Sequence, residues 1–182
     1  GKYGYGNEEW LFDKERLMDG YHYAFLEPIY KYYDLYKGKT FDITLYTVDA
    51  DTSIRYWVGE IKNMEVVSEE DSKKAWVFYD KQGWLLSMKE EIKTVGGKSN
   101  NFPNKDTIQH FNVRYKPLEG SLYDSPIEVP ANNPLYKINR YVLLNNEKHY
   151  ETVDFNADTF DFANHNCPLP FENSDAPQKK QY

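Results

Sequence analysis

Alternation of apolar and polar positions is clearest between Phe41 and Val67, FDITLYTVDADTSIRYWVGEIKNMEVV. Phe41–Val48 is rich in β-branched and aromatic residues, Asp49-Ala50-Asp51-Thr52 supplies turn chemistry, and Ser53–Lys62 resumes the strand pattern. Ile54, Tyr56 and Val58 point to one face; Arg55, Trp57, Gly59 and Ile61 point to the other. With Ile43 and Leu45 on the first strand, both faces carry apolar side chains, which predicts a central hairpin. Gly59 inside a strand predicts a bulge or a close backbone approach. Asn63 predicts a break, with Met64–Val67 as a bent continuation. A long kinked hairpin of this kind suits a small closed or half-closed barrel.

The flanking pattern is more mixed. Asp13 reads as the cap of a short helix, Lys14–Met18, stopped at Gly20, and Tyr21–Leu26 as a short aromatic strand. Pro28 opens a helical turn through Tyr36, ended by Gly38. Ser68 reads as an N-cap with Asp71 as its capping-box partner. The helix it starts runs to about Asp80, with Ala75, Phe78 and Tyr79 as its core contacts; Gly83 breaks it before a second helix, Trp84–Ile92. Thr94–Asp106 is a loop rich in glycine, asparagine and proline, long enough to be functional or disordered. Gln109–Lys116 reads as a strand with Phe111, Val113 and Tyr115 on one side. Pro117–Pro134 reads as irregular chain held to turns by its prolines, and Tyr136–Leu144 as the last strand. Residues 1–150 are expected to form one domain, and 151–182 an acidic, proline-containing tail or linker.

Composition changes this picture in three ways. Seventeen tyrosines and four tryptophans bring the aromatic share to 17%, which is either strand filler or a set of stacking surfaces for bases or sugars. The single cysteine, Cys167, excludes an internal disulfide and fits a reducing, cytoplasmic setting. No run approaches the length of a membrane span, and no signal peptide opens the chain; the start at Gly1 suggests a piece cut from something longer. The net charge of −7 looks hostile to nucleic acid, but it is concentrated. Seven acids (Glu147, Glu151, Asp154, Asp158, Asp161, Glu172, Asp175) face one base, Lys148, between Asn145 and Asp175. From Trp84 to Pro117 six bases (Lys89, Lys93, Lys98, Lys105, Arg114, Lys116) outnumber Glu90, Glu91 and Asp106. That stretch is a modest basic stripe.

The order of these elements resembles the YTH and EVE branch of the PUA-like superfamily. The matching residues are Gly59, Glu60 and Ile61 at the end of the central strand, then Phe111, Val113, Arg114, Tyr115 and Pro117, with Trp10 in the place of a pocket-lining tryptophan. The match covers roughly residues 3–145, and the N-terminal segment also looks like domains found beside nucleases in modification-dependent restriction proteins. The resemblance implies an α+β fold, a PUA-like small twisted β-barrel flanked by helices. It further implies a DNA-binding specificity module that flips a modified base, 5-methylcytosine or 5-hydroxymethylcytosine, into an aromatic cage. Carried onto this chain, Trp10 is the first wall, Asn7 and Glu8 read the base edge, and Phe102 stands where the family commonly has a second tryptophan. Trp84 or Trp57 substitutes for that second wall, Tyr21 and Tyr23 are third walls, and Lys98, Arg114 and Lys116 contact phosphates. The expected partners are modified double-stranded DNA and a nuclease domain in the same or a partner chain. No cofactor, metal or membrane is expected.

Two other classes compete. Glu60-Ile61-Lys62 is an E-x-K on a strand, so both side chains share a face, and Asp42, Asp49 or Asp51 would complete a PD-(D/E)xK-like nuclease site. A modified-RNA reader of methyladenine is the variant within the resemblance. The third class is a protein-interaction domain whose acidic tail meets a basic partner. His22, His110, His149 and His165 lack the spacing of a metal or nuclease motif, and His165 with Cys167 is too sparse for zinc.

Overall fold

Turn chemistry decides the first element. In the computed structural model, which describes residues 10–97, 99–100 and 102–137, Lys14–Met18 is not a helix. Asp13 instead accepts the Glu15 N–H (3.1 Å), and Leu17–Met18 (β1) pairs antiparallel with Tyr21–Ala24 (β2). Asp19 (φ 53°) and Gly20 (φ 80°) occupy the left-handed region that a tight two-residue hairpin demands, and an Asp-Gly pair meets that demand at little cost.

Two compact units follow from the contact pattern, Gly1–Thr40 with Glu65–Pro117 and Phe41–Met64 with Leu118–Tyr182. Both are mixed or all-β in the described residues, and the chain as a whole is α+β with four α-helices among those residues. In the first unit β2 pairs antiparallel with β5 (Val113–Tyr115), which in turn pairs with Glu65 and Val66 at the end of β4 (Arg55–Val66). The expected strand Gln109–Lys116 is shortened because Thr107–Gln109 forms a 3-10 turn and Asn112 is used otherwise, as described below. Two short helices, α1 (Glu27–Lys31) and α2 (Tyr33–Tyr36), precede Gly38, whose φ of 75° ends them. Ser68 caps α3 (Glu69–Lys81), its hydroxyl accepting the Asp71 N–H at 3.1 Å, and Gly83 (φ 75°) separates it from α4 (Trp84–Thr94). Ala75 and Tyr79 on α3, with Leu85, Met88 and Ile92 on α4, form one apolar cluster with Trp10, Met18, Tyr23, Val67, Phe102 and Phe111.

In the second unit β3 (Thr40–Val48) neighbours β4 through a turn that Asp49 organises, its carboxylate accepting the Asp51 and Thr52 N–H groups and the Thr52 hydroxyl. β6 (Gly120–Glu128) pairs antiparallel with β4, although Pro117–Pro134 reads as irregular in sequence. The register explains how a strand carries Pro126. Trp57 pairs with Ile127 and Gly59 with Leu122, so Tyr123 to Pro126 fall in the slip between them and the proline nitrogen is asked for no ladder bond. Gly59 sits at that bulge, and a Cβ there would lie 2.5 Å from the Ser121 carbonyl oxygen. Asn63 marks the expected bend with φ 47°. Trp57, Ile61, Met64, Val129 and Leu135 are buried. Tyr136 and Lys137 belong to a 3-10 turn, Pro134–Lys137, rather than to a strand; the rest of the expected strand and the 151–182 tail lie outside the described residues. No helix among the described residues is long and apolar enough to cross a membrane.

Candidate nucleic-acid interface

Trp10 opens a strap, residues 10–16, that the first unit fastens at three backbone oxygens. His22 donates from Nε2 to the Trp10 carbonyl (2.7 Å), the Tyr115 hydroxyl donates to the Leu11 carbonyl, and the Tyr79 hydroxyl donates to the Arg16 carbonyl (2.8 Å). His22, Tyr79 and Tyr115 are all buried, so each bond is made where water does not compete. The strap therefore holds the Trp10 side chain in one place. Its indole Nε1–H donates to Glu91 Oε2 at 2.6 Å, and its ring meets Phe102 at a centroid distance of 5.4 Å and an interplanar angle of 37°.

Phe102 is positioned from the other side. His110 packs edge-on against it (5.1 Å, 84°), and His110 Nε2 accepts the Asn104 N–H at 3.0 Å. Asn104 also donates to Gln109 Oε1 and accepts the Asp106 N–H. The loop is thus braced on the short turn that precedes β5. With Nε2 accepting, the neutral ring carries its proton on Nδ1, a buried atom for which no partner is found. Burial pushes the His110 pKa down to about 4.

This brace has a pH signature. The unfolded chain binds a proton at His110 near the ordinary value of about 6.5, and the folded chain does not until about pH 4. Its contribution is complete above about pH 6.5 and is lost as the pH falls from there toward 4, since protonation charges a buried ring and turns its acceptor into a donor. Denaturant midpoints across that window should show a loss of about 3 kcal/mol from this group, and His110→Gln should flatten that part of the curve.

In the same unit, Arg114 on β5 stands opposite Tyr23 on β2 and Glu65 on β4. It donates to Glu65 Oε2 from Nε (2.8 Å) and NH2 (2.7 Å) and to the Tyr23 hydroxyl from NH1 (3.1 Å), and lies 4.7 Å over the Tyr21 ring. Burial alone would lower its pKa; the bonds to Tyr23 and Glu65 outweigh that and keep it charged. Lys116 Nζ lies 5.9 Å from the same Tyr21 ring. Tyr21 is half-buried against these cations, and Lys116 is exposed.

No family model, curated protein or solved structure matches this chain. The site must rest on its own geometry.

Of the sequence-expected residues, Trp10 and Phe102 meet directly, and Tyr21 and Tyr23 on β2 gather with Arg114 on β5 and Lys116 just after it in the same unit. Trp84, at the start of α4, is half-buried edge-on to Phe78 (5.7 Å) and Tyr79 (5.0 Å). Trp57 belongs to the second unit, 1% exposed and edge-on to Tyr46, which is core packing. Asn7, Glu8, Lys98, His165 and Cys167 lie outside the described residues. For the nuclease pattern, Glu60 is half-buried on β4 and Lys62 exposed, while Asp42 accepts the Asn63 N–H at 2.7 Å and Asp49 holds its turn. Among the described residues no three His, Cys, Asp or Glu side chains are grouped to hold one metal ion. Sequence reading missed Glu91, Arg16 and His110. A signal existed for one of them: Glu91 falls three positions after Met88 and seven after Trp84, a carboxylate on the apolar side of a helix.

Proposed function

We propose that the chain is a PUA-like DNA-binding module that reads a modified base, 5-methylcytosine or 5-hydroxymethylcytosine, by flipping it into an aromatic cage. It would supply specificity to a modification-dependent restriction protein whose nuclease lies in another domain of the same or a partner chain. The observation that carries this reading is the Trp10–Phe102 pair: two aromatic rings from distant segments, in tilted contact, with a carboxylate on the indole edge. At 5.4 Å the rings fill each other's space, whereas a base between them needs about 7 Å, twice the stacking contact distance. Without ligand the cage is closed on itself. Binding then consists of the base replacing the ring–ring contact. Tyr21, Arg114 and Lys116 would meet the backbone, giving salt-sensitive affinity.

A titration with one duplex in unmodified, 5-methylcytosine, 5-hydroxymethylcytosine and methyladenine forms tests the reading. Wild type should prefer one modified duplex by roughly tenfold or more, about 1.4 kcal/mol, and Phe102→Ala should lose that preference. Equal binding to all four forms would sink it.

A further inference from the structure

Glu91 sits on the indole edge of the aromatic pair. Its Oε2 accepts the Trp10 indole N–H at 2.6 Å and a long contact from Arg16 NH1 (3.4 Å), and its Oε1 accepts from Arg16 NH2. Arg16 is itself held by Asp13 at 2.8 Å, so the carboxylate is fixed in orientation from two sides. A carboxylate offers about four acceptor positions; three are used, and the remaining one is on Oε1. The side chain is 41% exposed, so the carboxylate is not sealed from solvent. Partial burial alone would raise the Glu91 pKa, but hydrogen bonds from Arg16 and Trp10 and the charge of Arg16 outweigh it, so the group stays ionised.

We propose that Glu91 reads the edge of the base bound against Trp10, and that it selects an amino-bearing base over a keto-bearing one. The inference rests on the base-reading function above and goes further by assigning the chemical class of ligand. An ionised carboxylate only accepts hydrogen bonds. It takes one N–H from the exocyclic amine of cytosine, as acidic side chains do in groove readout. Against thymine it faces a carbonyl oxygen, lone pair to lone pair, in a partly desolvated site. The two bases are otherwise a close match, since thymine carries the same 5-methyl group as 5-methylcytosine. The discrimination therefore comes from the amine and not from the methyl group.

The test places 5-methylcytosine or thymine opposite an abasic site in otherwise identical duplexes, so that neither base must be unpaired, and measures affinity for wild type, Glu91→Gln and Glu91→Asp. Wild type should favour 5-methylcytosine roughly tenfold or more. Glu91→Gln presents both a donor and an acceptor and still offers an oxygen to Trp10; its preference should collapse to near parity. Glu91→Asp keeps the charge beside Arg16 but withdraws it by one methylene, and should lose the preference as well, which covers the case that glutamine unsettles α4. A wild-type preference retained in both variants overturns the Glu91 assignment and leaves the base-reading function standing. Equal wild-type affinity for 5-methylcytosine and thymine also overturns the Glu91 assignment, and equal affinity across the four duplexes of the titration above overturns both.

Discussion

Asn112→Ala is expected to destabilise the fold by about 2–4 kcal/mol, measured as a shift in the denaturant midpoint at unchanged slope. Asn112 is fully buried, and its amide pairs with both polar groups of Leu26: Oδ1 accepts the Leu26 N–H at 2.8 Å and Nδ2 donates to the Leu26 carbonyl at 2.9 Å. Its own backbone N–H donates to Ala24, and its carbonyl accepts from Val67. One side chain therefore imitates a strand neighbour where β2 ends and α1 begins. Alanine leaves the Leu26 N–H buried without a partner, while the Leu26 carbonyl keeps the Tyr30 N–H (3.1 Å). The donor is the costly loss. Asn112→Asp should be worse than alanine although it is nearly isosteric, because its second oxygen would face the Leu26 carbonyl. A change under about 0.5 kcal/mol for Asn112→Ala would show that the Leu26 pairing carries no stability.

What was legible in the chain is what is decided within a few residues. The Asp49 turn, the Ser68 cap with Asp71, the Gly83 break, the bulge at Gly59 and the bend at Asn63 all follow from side chains competing for nearby backbone or from a missing Cβ. Lys14–Met18, expected as a helix from the Asp13 cap and the Gly20 stop, ends in the strand β1 because Asp19-Gly20 closes a tight hairpin with both residues left-handed. β6 failed because Pro126 is read as a strand breaker, and only the pairing register reveals that it falls in a slip. The resemblance named Trp10 and Phe102 together as candidate walls, and these residues, 92 positions apart in the sequence, are in contact in the fold. The groups that orient them were not: the Trp10–Glu91 and Arg16–Glu91 bonds join the strap to α4 across most of the first unit's sequence. Such partners are chosen by the sheet and helix packing, and spacing carries no trace of them.

Trp10 itself is expected to separate stability from binding. Trp10→Ala should cost about 3–5 kcal/mol, because the ring is 7% exposed, packs on Phe102 and supplies a donor to Glu91. Trp10→Phe keeps the ring contact and removes only the N–H, so it should cost about 1–2 kcal/mol, with the Glu91 pKa rising toward the ordinary carboxylate value as one stabilising bond is lost. If the same ring is the wall against which a flipped base stacks, Trp10→Phe should retain most of the preference for a modified duplex. A more stable background carrying Trp10→Ala should then fold and still show no preference. The link between the two effects is physical: a wall that is also core must be uncovered before it can stack, so the ligand has to offset the lost Trp10–Phe102 contact. Phe102→Ala removes that contact from the other side and should loosen the fold while lowering affinity for the modified base. A Trp10→Ala protein that unfolds more readily but discriminates modified from unmodified duplex as wild type does would assign Trp10 to the core alone.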